Sequence, residues 1–394
     1  MPAVITAIGA VTGHGVGCAP LLKAVLEGRT AIHPLTRFSA NGLCSQLAAE
    51  APEDAELLAL LARSALPPPQ DRASRLLLTA CAEATHGRDL RSQSSARRGV
   101  VVGTTKGALE LALDHWNEHG AAGEEVLGLP ARALAASVGA AGPVLTVSGA
   151  CASSALALGE GLALIEDGVC DEVVVGGTEA LHAFVYQGFH ALKALSAAPA
   201  APFDLRRSGV SLGEGAAVLV LESEAHARLG GRTALVHLEG FGSATDGFDQ
   251  TAPNPQGTGL LAACRSALQR AGATPAQVGR YHAHGTATQH NDRMEAAVHA
   301  ALFEGRPVPV TAVKGSLGHT LGAAGALDAA VCALTLACGM LPPVAHLEQL
   351  DPAARVPAVM GRGRADQEPW AVVANAGFGG INSALVLRRR ERLE

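Results

Sequence analysis

Four short Gly-rich stretches hold the side chains of this sequence that are suited to covalent and acid–base chemistry. The first is Thr146-Val147-Ser148-Gly149-Ala150-Cys151-Ala152-Ser153-Ser154-Ala155. An apolar, strand-like run enters a turn of small residues, and a helix begins at once. Cys151 is therefore expected at a helix N-terminus, where the macrodipole and free amides favour a thiolate. Small neighbours leave room for a substrate at the sulfur, as in strand–turn–helix nucleophile corners. The remaining thiols, including Cys81, Cys264, Cys332 and Cys338, read as buried structural cysteines.

The second stretch runs His282-Ala283-His284-Gly285-Thr286-Ala287-Thr288-Gln289-His290-Asn291-Asp292, with Glu295 three residues on. His284 is expected at a strand end, and Asp292 and Glu295 share a face of the next helix. Three histidines and two carboxylates also suit a metal, although neither the His-Glu-x-x-His order nor a Cys/His structural set is present. The third stretch, Val313-Lys314-Gly315-Ser316-Leu317-Gly318-His319-Thr320-Leu321-Gly322, sets a Lys and a His on a Gly-rich turn. It lacks the spacing of a phosphate-binding P-loop. The fourth, Asn375-Ala376-Gly377-Phe378-Gly379-Gly380-Ile381-Asn382, flanks a lone Phe with glycines. Such glycines bring backbone amides close to a ligand, and a tight turn around a core Phe is the plainer alternative.

These stretches need a scaffold, and the composition supplies one. The chain has 394 residues, 48% of them hydrophobic and 17% charged, with a net charge of −6, enough for a large core and no match for nucleic acid. Lysine occurs only at positions 23, 106, 193 and 314, so a Lys within a Gly-rich loop is conspicuous. Arg388, Arg389, Arg390 and Arg392 read as a solvated tail. Eight cysteines without a Cys-x-x-Cys pair, no signal peptide, and an apolar stretch at 323–343 broken by Asp328 and Gly339 point to a cytoplasmic protein without a membrane span.

Short apolar runs at 4–8, 99–102, 144–147, 173–175, 217–221 and 235–241 read as strands. So do those at 280–283, 308–312, 372–374 and 383–387. Helices are expected at 21–27, 72–86, 151–165, 259–271, 291–303 and 322–338, with a Pro-rich loop reaching residue 72. The order of elements occurs twice, which predicts a layered α/β protein of two closely packed pseudo-repeats, 1–225 with the nucleophile and 226–394 with the two histidines.

Together the four stretches, in this order, resemble the β-ketoacyl synthase family of the thiolase superfamily. The resemblance covers nearly the whole chain and includes Gly176-Gly177-Thr178-Glu179, Pro202-Phe203-Asp204 and Gly213-Glu214-Gly215-Ala216. It implies a thiolase-like layered αβαβα fold and a two-fold dimer. Thiolases are expected to carry a second Cys in the last loop, where this chain has Phe378; initiating synthases carry Asn where it has His319. The Cys-His-His set therefore resembles the elongating branch, which joins a Cys-bound acyl chain to malonyl-acyl carrier protein by decarboxylative Claisen condensation.

The resemblance implies Cys151 as nucleophile and the amides of Cys151 and Phe378 as an oxyanion hole. It implies His284 and His319 as donors to the malonyl thioester. Lys314 would polarise the histidine region with Glu295 as its ion-pair partner, and Asp292 would support the network. Thr286 and Thr288 would hold phosphopantetheine, which enters on the carrier protein, so no resident cofactor or metal is implied; Phe378 would gate the acyl pocket. The partners implied are acyl carrier protein, malonyl-acyl carrier protein and a second identical or related subunit. Departures at Ala376, at Arg207-Ser208-Gly209-Val210 and along 103–143 suggest a pathway-specific enzyme of polyene or polyketide type. A non-catalytic partner of the chain-length-factor kind and a metal-dependent hydrolase using His282, His284 and His290 are the alternatives.

Overall fold

The computed structural model describes residues 3–62, 68–88, 90, 95–119 and 126–390. Ten strands build the frame: β1 Ala3–Thr12, β2 Arg98–Gly103, β3 Val144–Val147, β4 Glu172–Glu179, β5 Gly215–Ser223, β6 Val236–Thr245, β7 Val278–His282, β8 Val310–Thr311, β9 Trp370–Gly377 and β10 Ile381–Arg389. Six helices pack on them: α1 Arg72–Ala84, α2 Leu129–Val138, α3 Ser153–Glu166, α4 Thr258–Arg270, α5 Gln289–Phe303 and α6 Ala324–Ala337.

The spatial order is β8-β7-β9-β10-β6-β1-β5-β4-β2-β3. Each half has the same path. β2 lies parallel to β3 and β4, β4 antiparallel to β5, and β5 antiparallel to β1. In the second half β7 lies parallel to β8 and β9, β9 antiparallel to β10, and β10 antiparallel to β6. The halves join where Ala3, Val4 and Ile5 pair with Leu238, His237 and Val236.

Central strands buried on both faces need apolar residues at every position, which explains their continuous Val and Leu runs. The two-residue side-chain period then divides each run between two cores. Val100, Val102 and Val174 face α1 and α2, packing with Leu76, Leu77 and Leu134. Val101, Val173 and Val175 face the opposite way, onto Leu158 and Leu162 of α3. In the second half Val372 and Val386 meet α4 and α5, while Val373 and Leu385 join the core that holds Leu327 and Val331 of α6. α3 and α6 thus form a middle layer, giving the order αβαβα.

That middle layer accounts for the Ala and Gly content. A Cβ placed on Gly325 would lie 2.4 Å from the backbone N of Ala155, and one on Gly177 would lie 2.6 Å from the Cβ atoms of Ala326 and Ser154. The helices meet each other and β4 at backbone distance.

Some expectations change. The segment before residue 72 holds strands Ile32–Pro34 and Leu47–Ala49 and a helix Asp54–Leu61, because Leu57 and Leu61 reach the core beneath α1. Helices at Ala183–Ala191 and Leu129–Val138 were not expected. Cys338 is exposed, whereas Cys81, Cys264 and Cys332 are buried. Arg388 and Arg389 belong to β10, and Arg388 pairs with Glu239 at 2.6 Å instead of forming a solvated tail; Arg392 lies outside the described residues. Among the described residues no helix is long and apolar enough to cross a membrane.

Gly325→Ala tests the close approach. Alanine favours a helix by about 1 kcal/mol over glycine, but here its methyl meets backbone that cannot swing away. Overpacking is expected to prevail, with a net loss of roughly 1–3 kcal/mol in urea unfolding. Unchanged or higher stability would contradict the described contact.

Candidate active site

The turn after β3 positions Cys151. Ala150 adopts a left-handed φ of 50°, a conformation strained for a residue with a Cβ and a frequent mark of functional corners. Ser153 holds the turn closed: its Oγ accepts from the Gly149 amide at 2.9 Å and donates to the Ala150 carbonyl at 2.6 Å. Cys151 is buried, two residues ahead of the first residue of α3. Its thiol is not lowered by the helix terminus as the sequence suggested. Burial pushes it up to about 11, against the opposing pull of the Lys106 and Lys314 charges and the Phe378 amide. Desolvation outweighs the favourable dipole.

A base lies within reach. His319 Nε2 is 3.1 Å from Cys151 Sγ. The His319 ring meets the His284 ring edge to face, with centroids 5.2 Å apart. Both rings are buried. Burial, helped by the Lys314 cation, depresses His319 to about 3 and holds His284 well below its usual range, so both are neutral near pH 7.

Lys314 pairs with Asp328, not Glu295: its Nζ is 3.0 Å from Asp328 Oδ2. Asp328 also receives the Asn375 side-chain amide at 2.8 Å and lies 3.6 Å from His282 Nε2. Glu295 is turned the other way. It accepts the amides of His284 at 2.7 Å and Gly285 at 2.6 Å and the Asn291 side chain at 2.8 Å. Asp292 accepts the Phe203 amide at 2.8 Å and the Ala287 amide at 3.2 Å, and pairs with Arg207 at 3.3 Å. Burial raises Asp292 to about 6 and Glu295 to about 7. These two carboxylates fix the 284–288 loop through its backbone.

Thr286 and Thr288 hydroxyls lie 3.0 Å apart, and Thr288 caps α5. The three histidines proposed for a metal do not converge. His282 Nδ1 is held by Thr311 at 2.9 Å, His284 faces Asn375 and His319, and His290 is exposed. Among the described residues the one group of potential ligand atoms lying close together is Glu172, Glu222 and His226. Arg88, Arg98 and Arg232 already pair with its carboxylates.

A cavity of about 450 Å³ joins these parts, lined by Cys151, His284, His319, Thr286, Thr288 and Phe378. Ala376, Ser208 and Val210, which depart from the family pattern, line it too. Phe378 stacks on Phe189 with centroids 5.7 Å apart.

Sequence reasoning gave no role to Asp328, Asn375, Lys106, Glu179 or Phe189. Asp328 had one signal, a lone carboxylate in an apolar helix. Lys106 had another, its rarity. Lys106 is 3.5 Å from Glu179 Oε1, and Glu179 Oε2 accepts the Thr105 amide at 2.9 Å and the Gly322 amide at 3.0 Å. This links the loop after β2 to the turn that carries His319.

Comparison with known proteins gives the chain's relatives. The description "Beta-ketoacyl synthase, N-terminal domain" matches residues 1–227 and its C-terminal counterpart residues 235–348. The ketoacyl synthase alpha subunit of the tetracenomycin polyketide synthase of Streptomyces glaucescens is 35% identical, the alignment covering 98% of this chain and 96% of that protein. The ishigamide ketosynthase/chain length factor structure superposes with a TM-score of 0.91 at 28% identity over 99% of each chain. The ketosynthase ApeO, solved with its chain length factor ApeC from Xenorhabdus doucetiae, gives 0.86 at 30% identity, covering 99% of this chain and 98% of that one.

Two measurements probe the electrostatics. Lys106→Met removes a cation that lowers the thiol, so the pH dependence of Cys151 alkylation by iodoacetamide should move to higher pH, while Lys106→Arg stays near wild type. An unmoved profile would show that Lys106 does not act on the sulfur. Asp328→Ala leaves a buried ammonium unpaired and should cost about 3–5 kcal/mol in urea melts; a loss below 1 kcal/mol, on the order of an exposed pair, would mean that the site is wet.

Proposed function

The chain belongs to the β-ketoacyl synthase family, and from that premise we propose that it is a catalytic condensing subunit, a 3-oxoacyl-acyl carrier protein synthase. The observation that carries this is the 3.1 Å contact between Cys151 Sγ and His319 Nε2 beside His284 in one cavity. A partner that had lost catalysis has no need of a nucleophile, a neutral base and a buried Lys–Asp pair in register.

The mechanism follows from the charges. Because the thiol is held protonated, acyl transfer begins with the Cys151 proton passing to His319 as sulfur attacks the acyl thioester carbonyl. The amides of Cys151 and Phe378 receive the developing oxyanion. The tetrahedral intermediate expels the phosphopantetheine thiolate, which takes up the proton, and the acyl group remains on Cys151. Malonyl-carrier thioester then occupies the cavity with its carbonyl oxygen between His284 and His319. Its carboxylate leaves as CO₂, and the bonding pair becomes an enolate whose oxygen both imidazoles stabilise, His319 having exchanged to its Nε2–H tautomer once Cys151 is acylated. The enolate carbon attacks the Cys151 thioester, and sulfur departs as thiolate to be reprotonated. Thr286 and Thr288 hold the pantetheine arm, and Phe378, stacked on Phe189, closes the acyl side. No metal or resident cofactor takes part.

The subunit works as a dimer. β3 is the terminal strand of the sheet and exposes Val144 and Leu145, an unpaired apolar edge of the kind that another chain completes. The partner is a second copy or a related ketosynthase-like subunit, and acyl carrier protein delivers both substrates. The small side chains Ala376 and Val210 at the cavity fit a pathway-specific chain of polyene or polyketide type more than a saturated housekeeping one.

Intact-mass spectrometry after incubation with a panel of acyl-carrier proteins tests the condensing role. A mass increase equal to the acyl group, lost in Cys151→Ala, is the expected result; no adduct with any donor, alone or with a co-expressed related subunit, would favour the chain-length-factor role. Leu145→Lys is expected to convert a dimer to a monomer in light scattering, and a wild-type monomer that is fully active would refute the edge assignment.

A further inference from the structure

Asn375 takes no part in the steps above, yet it sits at their centre. It is fully buried in β9, between Asp328 and His284. Its Nδ2 is 2.8 Å from Asp328 Oδ2 and 3.5 Å from His284 Nδ1, while its Oδ1 has no hydrogen-bond partner.

An ionised carboxylate only accepts hydrogen bonds, so Asp328 fixes which end of the amide faces it: the nitrogen. Turning the amide over would set its oxygen against the carboxylate. The Lys314 ammonium, 3.0 Å from the same Oδ2, keeps Asp328 ionised and acceptor-only. With one amide hydrogen committed to Asp328, the second is directed at His284 Nδ1. That nitrogen must then present its lone pair. In a neutral imidazole the proton therefore resides on Nε2, the other edge of a ring that lines the cavity. Glu295 completes the placement by holding the His284 backbone amide at 2.7 Å.

We propose that Asn375 is a positioning residue that sets the tautomer of His284, making the imidazole a hydrogen-bond donor towards the cavity. The catalytic consequence rests on the condensing reading: a donor stabilises the enolate oxygen, whereas the opposite tautomer would turn a lone pair towards it. The first half-reaction, acyl transfer to Cys151, uses His319 and the backbone amides and does not need this donor.

Nitrogen-15 NMR of histidine-labelled wild-type protein reads the tautomer directly, with the His284 signals assigned by their loss in His284→Gln. An unprotonated Nδ1 and protonated Nε2 are expected. In Asn375→Leu the two tautomers should mix, decarboxylation of malonyl-carrier protein should fall by about tenfold or more, and Cys151 acylation should stay near wild type; Asn375→Ser, which keeps one donor, should recover part of the loss. A wild-type His284 protonated on Nδ1 overturns the proposal. So does a folded Asn375→Leu whose tautomer and decarboxylation are unchanged, or one that loses both half-reactions equally. Should that variant not fold, the wild-type spectrum alone decides. A wild type that neither acylates nor decarboxylates would remove the condensing reading, and the tautomer would still decide the role of Asn375.

Discussion

A lysine buried away from bulk solvent must be neutralised or lose its proton, and the arrangement of this site follows from how Lys314 is neutralised. Asp328 is the counter-charge, and it lies on α6, the middle-layer helix that also packs against α3 and β4. A carboxylate in that position has acceptor capacity beyond one ammonium. Asn375 uses it, and through Asn375 the ion pair reaches His284. Such a pair in low dielectric contributes little net stability against an apolar replacement. What it provides is an ordered ammonium beside two imidazoles that burial already holds uncharged; Lys314 adds to that effect, and Asp328 opposes it at His319.

The duplicated topology explains how four distant stretches meet. In each half the loops that follow parallel strands open at the same edge, and the two halves join at β1 and β6. Cys151 follows β3, Lys106 follows β2, His284 follows β7, Lys314 and His319 follow β8, and Phe378 lies between β9 and β10. Two helices of small residues between the sheets bring these edges together. A bulkier middle layer would move Cys151 and His319 apart, and a 3.1 Å contact tolerates little separation.

Most of the frame was legible in the sequence because buried strands and long helices carry their own pattern. Val144–Val147 has the bounds its apolar run suggests, and Val173–Val175 lies within a longer strand whose Glu and Thr ends are buried by pairing. Ala183–Ala191 was not legible, since its short, mixed sequence shows no apolar period; its Phe189, which meets Phe378, was hidden with it. The candidate residues were legible as types on Gly-rich turns, but their partners were not. Glu295 lies nearer than Asp328 to the histidine motif in the sequence, and only packing decides that Lys314 faces Asp328. The ionisation of Cys151 failed for a related reason: a helix terminus can be read from letters, whereas exclusion of water depends on everything that surrounds the sulfur.

That exclusion has a consequence for durability. A thiol pushed up to about 11 is almost wholly protonated at pH 7. Peroxide attacks the thiolate form, so the idle protein is a poor target for sulfenic acid formation and the irreversible steps beyond it. On the condensing reading, its sulfur becomes nucleophilic as His319 takes up the proton during attack on a bound thioester. On that reading, the burial that makes the first step demanding also preserves the sulfur between turnovers.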